Sequence, residues 1–152
     1  MNAIELLKAD HDVVEDLFKK VESTDESKHP ALFDQIRMEL EVHTHIEETI
    51  FYPKLKDGGD KELVDITLEG IEEHHQVKMF LKELSALSDN SEKFEPKLKV
   101  LMEDVQHHVK EEEEEMFPLV KDQFDKETLE GLGADMQAEK EKFKKTLAAA
   151  AR

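Results

Sequence analysis

Apolar residues recur along most of the chain at spacings of three and four, which is the period of one buried face of an α-helix. Polar or turn-forming stretches interrupt this pattern at 23–30, 57–60, 88–96 and 121–126. The pattern therefore predicts four long helices and a C-terminal helix. The alternation of every second residue that is typical of strands is not found.

Residues near the predicted helix ends support these boundaries. Asn2 with Glu5 matches a capping box, and Pro30 and Pro96 suit the first turn of a helix. Because short connections join the long helices, we expect an all-α fold built as an antiparallel bundle. The whole chain, 1–152, is expected to form a single domain.

Each of the four predicted core faces contains one histidine, and two of them also contain a glutamate. His43 and Glu47 lie about 40° apart on one helix face, as do His108 and Glu112. Glu112 belongs to the acidic run 111–115 and is predicted to point inward from it. The four histidines on these faces are His11, His43, His74 and His108. The third face is predicted to comprise Leu68, Ile71, His74, Val77, Leu81 and Leu84, and the second to end at Ile50.

The other four histidines are predicted to be exposed. His75 and His107 share their faces with charged residues, His45 points away from His43, and His29 precedes a proline in a predicted loop. Surface exposure is the usual state of such histidines.

An internal repeat relates the two halves of the bundle. His11-x-x-Val14 is echoed by His74-x-x-Val77, and His43-x-x-x-Glu47-Glu48 is echoed by His108-x-x-x-Glu112-Glu113. Two similar hairpins packed antiparallel would bring four histidines and two glutamates to one level of the core.

Two glutamates in a core point to a metal site, because burying unpaired carboxylates costs several kcal/mol each. Six nitrogen and oxygen ligands are too many for one tetrahedral zinc and too rich in imidazole for calcium or magnesium. Two first-row ions bridged by carboxylates fit best, with positions left for an oxo or hydroxo bridge and an exogenous ligand. Iron is favoured, and manganese and zinc remain open.

The sequence leaves two other interpretations open. One is a buried histidine–glutamate hydrogen-bond cluster without metal. The other is a ferritin-like di-iron site, which needs Glu-x-x-His motifs. Glu72-x-x-His75 matches that motif and Asp104-x-x-His107 matches it imperfectly, but both lie on polar faces.

Charge and composition limit the classes of molecule that the protein is expected to bind. The net charge of -17 should repel nucleic acid and anionic membrane surfaces and attract cations. There is no cysteine, so disulfides and thiolate metal sites are excluded. The N-terminus lacks the apolar run of a signal peptide, and no stretch has the length of a membrane span. We expect a cytoplasmic protein with neither nucleic acid nor membrane as partner.

The order of these motifs resembles the hemerythrin-like family, the HHE cation-binding domain, over roughly residues 3–121. The resemblance implies an up-down-up-down four-helix bundle, with a core at about 2–121, that holds a non-heme di-iron centre. It implies a ligand set in which the two glutamates bridge the ions. By motif match the ligands are His11, His43, Glu47, His74, His108 and Glu112.

The chain departs from the oxygen-carrying hemerythrins in two places. Those proteins have a second histidine one turn before the ligand of helix three, where this chain has Gly70. Their helix-four acid lies five residues after its histidine, where this chain offers Glu113 besides Glu112. The chain is more similar to bacterial hemerythrin-like proteins with an H-HxxxE-H-HxxxE pattern, some of which decompose peroxide. Tyr52 would point about 180° from His43 in a regular helix, so we expect it to face away from the centre; a place at the centre, as in a subgroup of such proteins, is the alternative.

The C-terminal helix is predicted over about 126–148, with Asp125 as its N-cap. Its apolar stripe comprises Leu129, Leu132, Met136, Phe143 and Leu147. We expect it to fold along the bundle; a homodimer contact or a lid over the metal site are the alternatives.

For function, we expect a di-iron protein that reacts with hydrogen peroxide or binds O2 or NO. The alternative is an oxygen, iron or redox sensor or an iron-storage protein without turnover, although 152 residues leave little room for an output domain.

Overall fold

Four long helical segments and a fifth helix account for the regular structure of residues 1–150, the part of the chain that the computed structural model describes. The seven α-helices are α1 (Ala3–Ser23), α2 (His29–Ile46), α3 (Tyr52–Gly58), α4 (Lys61–Ala86), α5 (Phe94–Glu111), α6 (Phe117–Gln123) and α7 (Lys126–Ala150). Two π-helical turns join α2 to α3 and α5 to α6, and we name them π1 (Glu47–Phe51) and π2 (Glu112–Met116). A 3-10 turn, Glu26–Lys28, precedes α2. The predicted helical bundle with a C-terminal helix is confirmed.

Side-chain caps fix the starts of α1, α4 and α7. The Asn2 carboxamide accepts from the Glu5 N–H at 2.9 Å, and the Glu5 carboxylate accepts from the Asn2 N–H at 3.0 Å. This reciprocal pair is the predicted capping box. Asp60 caps α4, and Asp125 accepts from the Thr128 N–H at 2.8 Å to cap α7.

Each π turn follows from a proline placed just beyond it. Pro53 and Pro118 lack the N–H of a regular helix, and their rings would clash with the carbonyl four residues earlier. The chain widens instead, so that the Tyr52 N–H donates to the Glu47 carbonyl and the Phe117 N–H to the Glu112 carbonyl. One extra residue per turn rotates the following side chains by about 100° relative to a regular helix.

This rotation corrects the predicted end of the second core face. Ile50 is only half-buried, whereas Phe51 and Tyr52 are buried. The prediction was wrong because it continued a regular helical period through π1.

Two apolar clusters fill the interior, one on either side of a polar layer. On α1, Leu7 belongs to one cluster and Val14 to the other, and His11 lies between them. The first cluster is centred on Val14, Phe18, Ile36, Val77, Leu81 and Leu101. The second is centred on Ile4, Leu7, Phe51, Leu55, Phe117 and Val120.

Two further burial predictions were wrong. Leu68 is 45% exposed, and the buried face of α4 runs through Thr67 and Gly70 instead. Leu68 lies six residues before His74, so its side chain points about 120° away from that of His74 and outside the core face. His29 is buried as the first residue of α2, with Nε2 2.8 Å from the Val21 carbonyl.

The C-terminal helix α7 folds along α1, α2 and π1, as predicted. A Cβ atom on Gly133 would lie 2.3 Å from the Met1 carbonyl oxygen, so glycine is what lets α7 cross the start of α1 this closely. Among residues 1–150, no helix combines the length and the apolar character that a bilayer crossing requires.

Candidate metal centre

The six predicted ligands meet in the polar layer between the two apolar clusters. None of them is more than 6% exposed, and both glutamates are almost fully buried. The histidines come from α1, α2, α4 and α5, and each glutamate is the first residue of a π turn. The members of this layer are His11, His43, Glu47, His74, His108 and Glu112.

The four imidazoles form two pairs. We name His11 and His43 the first half-site and His74 and His108 the second half-site. The ring centres lie 4.9 Å apart in the first half-site and 4.8 Å apart in the second. In the second half-site the two Nε2 atoms are only 3.2 Å apart, so their ligand atoms converge on one point.

Each glutamate contacts one histidine of each half-site. Glu47 Oε1 lies 3.0 Å from Nε2 of His43 and 3.1 Å from Nε2 of His74. Glu112 reaches Nε2 of His11 at 3.0 Å with Oε1 and Nε2 of His108 at 3.2 Å with Oε2. Both carboxylates therefore lie between the half-sites, where bridging ligands would lie.

A further carboxylate faces the Nδ1 atom of every histidine in the layer. An acceptor at Nδ1 keeps the proton on that nitrogen and directs Nε2 inward as a ligand. The four contacts are Asp10 to His43 at 3.1 Å, Glu48 to His74 at 3.1 Å, Glu73 to His108 at 2.6 Å and Glu113 to His11 at 2.6 Å.

The sequence prediction did not include these outer carboxylates, although the repeat contains them. Asp10 and Glu73 directly precede His11 and His74, and Glu48 and Glu113 directly follow the two inner glutamates. An acid at each of these repeat positions was the available signal. Glu113 thus orients a histidine instead of replacing Glu112 in the inner layer.

The carboxylates shift the pKa values of the imidazoles. Burial would lower the pKa of His43, but Glu47 and Asp10 outweigh it and raise the pKa to about 10. Burial likewise opposes the shift at His108, whose pKa the Glu112 carboxylate raises well above its usual value. In the other direction, His74 and Lys78 overcome burial and lower the pKa of Glu48 to about 2. Without a cation, imidazolium–carboxylate pairs hold the layer together.

One carboxylate in the layer lacks the partners that burial demands. Neither oxygen of Glu47 has a hydrogen-bond partner among residues 1–150, and neither does Nε2 of His43. These two groups are 3.0 Å apart, but without the angles of a hydrogen bond. A buried carboxylate without hydrogen bonds costs free energy even beside an imidazolium, and a bound cation would offset that cost.

The charges of the layer also suit cations. The two inner and four outer carboxylates carry six negative charges, and the two lysines that contact them, Lys78 and Lys140, carry two positive charges. With neutral histidines, four negative charges remain, which two divalent ions would cancel. Ligand atoms within 4.8 Å of one another form one group at His11, His43 and Glu112. They form another at Glu47, His74, His108 and Glu112. The residues present therefore fit two metal ions.

Tyr52 lies in the second half-site, which corrects the prediction that it faces away. Its hydroxyl donates to Glu112 Oε2 at 2.5 Å and lies 3.3 and 3.4 Å from Nε2 of His74 and His108. The rotation at π1 turns it inward. Gly70 makes the room, because a Cβ there would lie 3.2 Å from the Tyr52 hydroxyl. Tyrosine thus takes up the space beside the position where the oxygen carriers have a fifth histidine.

The repeat counterpart of Tyr52 in the first half-site is Phe117. Its ring stacks on His11 with centres 6.0 Å apart and planes 4° from parallel. Burial and the Glu112 and Glu47 carboxylates raise the pKa of Tyr52 well above its usual value, so it stays a proton donor. The second half-site therefore has a hydroxyl where the first has only a hydrocarbon ring.

A cavity of about 20 Å³ adjoins the four histidines on the side of the first apolar cluster. Its other lining residues are Val14, Leu40, Thr44, Val77, Val105 and Val109. A space of this size holds about one water-sized molecule. Thr44 also lines a surface groove between α2 and α4.

The remaining predicted surface histidines divide into two groups. His75 and His107 are exposed as predicted, so the ferritin-like motifs do not enter the core. His45 is half-buried, contrary to the prediction, because α7 covers it. Its Nε2 lies 2.9 Å from Glu139, and its ring stacks on Phe143 at 3.8 Å.

Comparisons with known proteins agree with this geometry. A family model described as hemerythrin HHE cation binding domain matches residues 2–120. The crystal structure of an HHE cation-binding domain-containing protein from Mycobacterium kansasii matches with a TM-score of 0.80 at 29% identity, over 96% of this chain and 89% of that one. An uncharacterized protein of Mycobacterium tuberculosis is 31% identical over 78% of this chain and 71% of its own length.

One relative has a name of a different kind. A protein of Nostoc sp. named DNA nickase is 28% identical over 97% of this chain. The match spans only 41% of that protein, so this chain corresponds to less than half of its length.

Proposed function

This chain belongs to the hemerythrin HHE cation-binding family, and we propose that it holds two iron ions in the buried layer and decomposes hydrogen peroxide there. The observation that carries the proposal is the Glu47 carboxylate, buried between the half-sites without a hydrogen-bond partner among the described residues. A pair of cations is the arrangement that satisfies this carboxylate and the converging imidazoles together.

The ligand roles follow the two half-sites. His11 and His43 would hold one ion, His74 and His108 the other, and Glu47 and Glu112 would lie between them. Ligand type alone also suits manganese or zinc, and a redox role favours iron. Bound iron would supply the redox chemistry by which two molecules of hydrogen peroxide give two of water and one of dioxygen.

The chain's own residues would control access and protons. The outer carboxylates hold each Nε2 toward its ion. The Tyr52 hydroxyl oxygen, 2.5 Å from Oε2 of Glu112, holds a proton at the edge of the second half-site. The cavity beside the histidines has room for about one water-sized molecule, so we expect it to suit hydrogen peroxide, O2 or NO and to exclude larger substrates.

Protein purified without added metal, then reconstituted anaerobically with ferrous iron, tests the proposal. We expect elemental analysis to give about two iron ions per chain, as the two ligand groups require. An oxygen electrode should record dioxygen on addition of peroxide, at a rate that scales with iron content. Metal-free protein is the control. One ion per chain or none would contradict the proposed centre.

The same experiment also tests the alternative function, which is ligand binding without turnover. A protein that is loaded with two ions and inert to peroxide, but forms a stable and reversible O2 or NO adduct, would be a carrier or sensor. O2 and NO are as small as hydrogen peroxide, so the size of the cavity does not discriminate among these ligands, and the peroxide measurement decides between the two functions.

We also propose that nucleic acid is not a partner of this domain, because a net charge of -17 repels phosphate. The name of the Nostoc relative argues in the opposite direction. A plasmid-nicking assay on the iron-loaded and the metal-free protein tests whether nucleic acid is a partner. We expect no cleavage, and cleavage that depends on the bound metal would overturn the proposal.

A further inference from the structure

The last helix, α7, contacts the first half-site through a chain of polar side chains. The Lys140 ammonium bonds the Asp10 carboxylate, and Oδ2 of Asp10 accepts from Nδ1 of His43 at 3.1 Å. The side chain of Asp10 is 5% exposed and that of Lys140 is 17% exposed. A carboxylate held from both sides in this way has little rotational freedom, so the direction of the His43 ring depends on α7.

The position of Lys140 is itself fixed by packing. Gly133 lies against the start of α1, where any side chain would collide with the backbone of Met1 to Ala3. Met136, one turn later, is fully buried in the second apolar cluster. Lys140 follows Gly133 by two helical turns and so lies on the same face. The packing of α7 against α1 therefore places the Lys140 ammonium next to Asp10.

The second half-site has a different arrangement at the equivalent place. Glu73, the repeat counterpart of Asp10, is 25% exposed and lies beside Glu111 and His107 in a surface cluster. The ammonium on Asp10 comes instead from a helix outside the repeat. It is a feature of the first half-site that duplication of the hairpin does not explain.

We propose that Lys140 is a positioning residue of the first half-site: by holding Asp10, it fixes Nε2 of His43 toward the metal ion. The inference rests on the proposed two-ion centre. It gives α7, which lies beyond the family match at 2–120, a role in metal affinity in addition to packing.

Stepwise titration with ferrous iron against a chromophoric chelator, under anaerobic conditions, tests this role. Lys140→Met keeps the length of the side chain and removes its charge. We expect one of the two ions to bind about tenfold more weakly and the other to be unchanged, as for other outer-sphere partners of a metal ligand. In a His43→Ala background, which lacks the first half-site, Lys140→Met should cause no further change.

Two control variants separate positioning from loss of packing. His45→Ala removes the contacts that His45 of α2 makes with Glu139 and Phe143 of α7 and leaves Asp10 unchanged. Lys145→Met removes an exposed charge from α7. Neither should alter the affinity for either ion. Thermal unfolding of the metal-free proteins checks that each variant folds.

If Lys140→Met does not fold, Asp10→Asn replaces it, because the amide oxygen still accepts from His43 but no longer binds an ammonium strongly. Equal weakening by His45→Ala and Lys140→Met would show that α7 acts through packing alone and would overturn the inference. So would unchanged affinities in the variants when wild-type protein binds two ions. Wild-type protein that binds fewer than two ions would overturn the proposed function as well.

Discussion

The two half-sites come from the same repeated pattern of histidine and glutamate, yet different residues complete them. Phe117 stacks on the first half-site, and Lys140 of α7 contacts its outer carboxylate. The second half-site has the Tyr52 hydroxyl beside its imidazoles, and its outer carboxylate Glu73 lies near the surface. The repeat thus supplies the ligands, while Tyr52 and Phe117, directly after the π turns, and Lys140 of α7 distinguish the half-sites.

Removing a carboxylate shared by both half-sites should have the largest effect. Glu112→Ala deletes the group that contacts His11 and His108, so we expect elemental analysis after reconstitution to show almost no iron and peroxide decomposition to be lost. Glu114→Ala, at an exposed position of the same acidic run, is the matched control and should keep two ions. Retention of both ions by Glu112→Ala would contradict the bridging role.

Removing one histidine should separate the half-sites. His43→Ala and His108→Ala should each lose one ion, because each leaves the opposite histidine pair intact. His45→Ala and His107→Ala are neighbouring controls that should keep both ions. Metal content measured for all four variants checks this, and losses in the controls would show that the ligand positions are displaced by a residue.

The pH dependence of metal-free stability should have two limits. The folded pKa of His43 is about 10 against 6.5 unfolded, so its stabilisation is full below pH 6.5 and is lost as the pH rises toward 10. The folded pKa of Glu48 is about 2 against 4.5, so its stabilisation is full above pH 4.5 and is lost as the pH falls toward 2.

Urea unfolding of the metal-free protein from about pH 3 to about pH 9 measures this profile. The first half-site should weaken at the alkaline end and the outer pair of the second half-site at the acidic end. A free energy of unfolding that stays constant above pH 6.5 would contradict the assignment of His43. Ferrous iron should bind more tightly as the pH rises, since it must displace the imidazole protons.

The smallest effect is expected from making the second half-site resemble the first. Tyr52→Phe removes one hydrogen bond to a buried carboxylate, which should lower the free energy of unfolding of the metal-free protein by about 2 kcal/mol. Both ions should still bind. A change below about 0.5 kcal/mol would show that the bond contributes little net stability.

Helical periodicity was enough to predict the bundle and to bring His11, His43, Glu47, His74, His108 and Glu112 to one layer. It held because the chain is regular up to Glu47 and Glu112, the residues at which the π turns begin. Beyond them it failed, as Ile50 and Tyr52 show. Pro53 and Pro118 within apolar stripes were the signal for a widened turn.

Other features depend on tertiary packing that no local pattern contains. His45 is covered only because α7 docks on α2. In the sequence, nothing distinguishes Lys140 from the other lysines of α7. Its position at Asp10 follows from the register of α7 on α1, which the close approach of Gly133 fixes. The four outer acids are predictable in part. The repeat indicates their positions, but only the folded structure shows which histidine each acid contacts.

The polar layer that divides the interior has a consequence for how the molecule opens. Each apolar cluster can pack by itself, and in the metal-free protein ion pairs and an unsatisfied carboxylate connect them. We therefore expect native-state hydrogen exchange to show two independently fluctuating ends of the bundle. Two ions bound to all four long helical segments would link these ends into one cooperative unit, so that the metal governs how far a local fluctuation spreads.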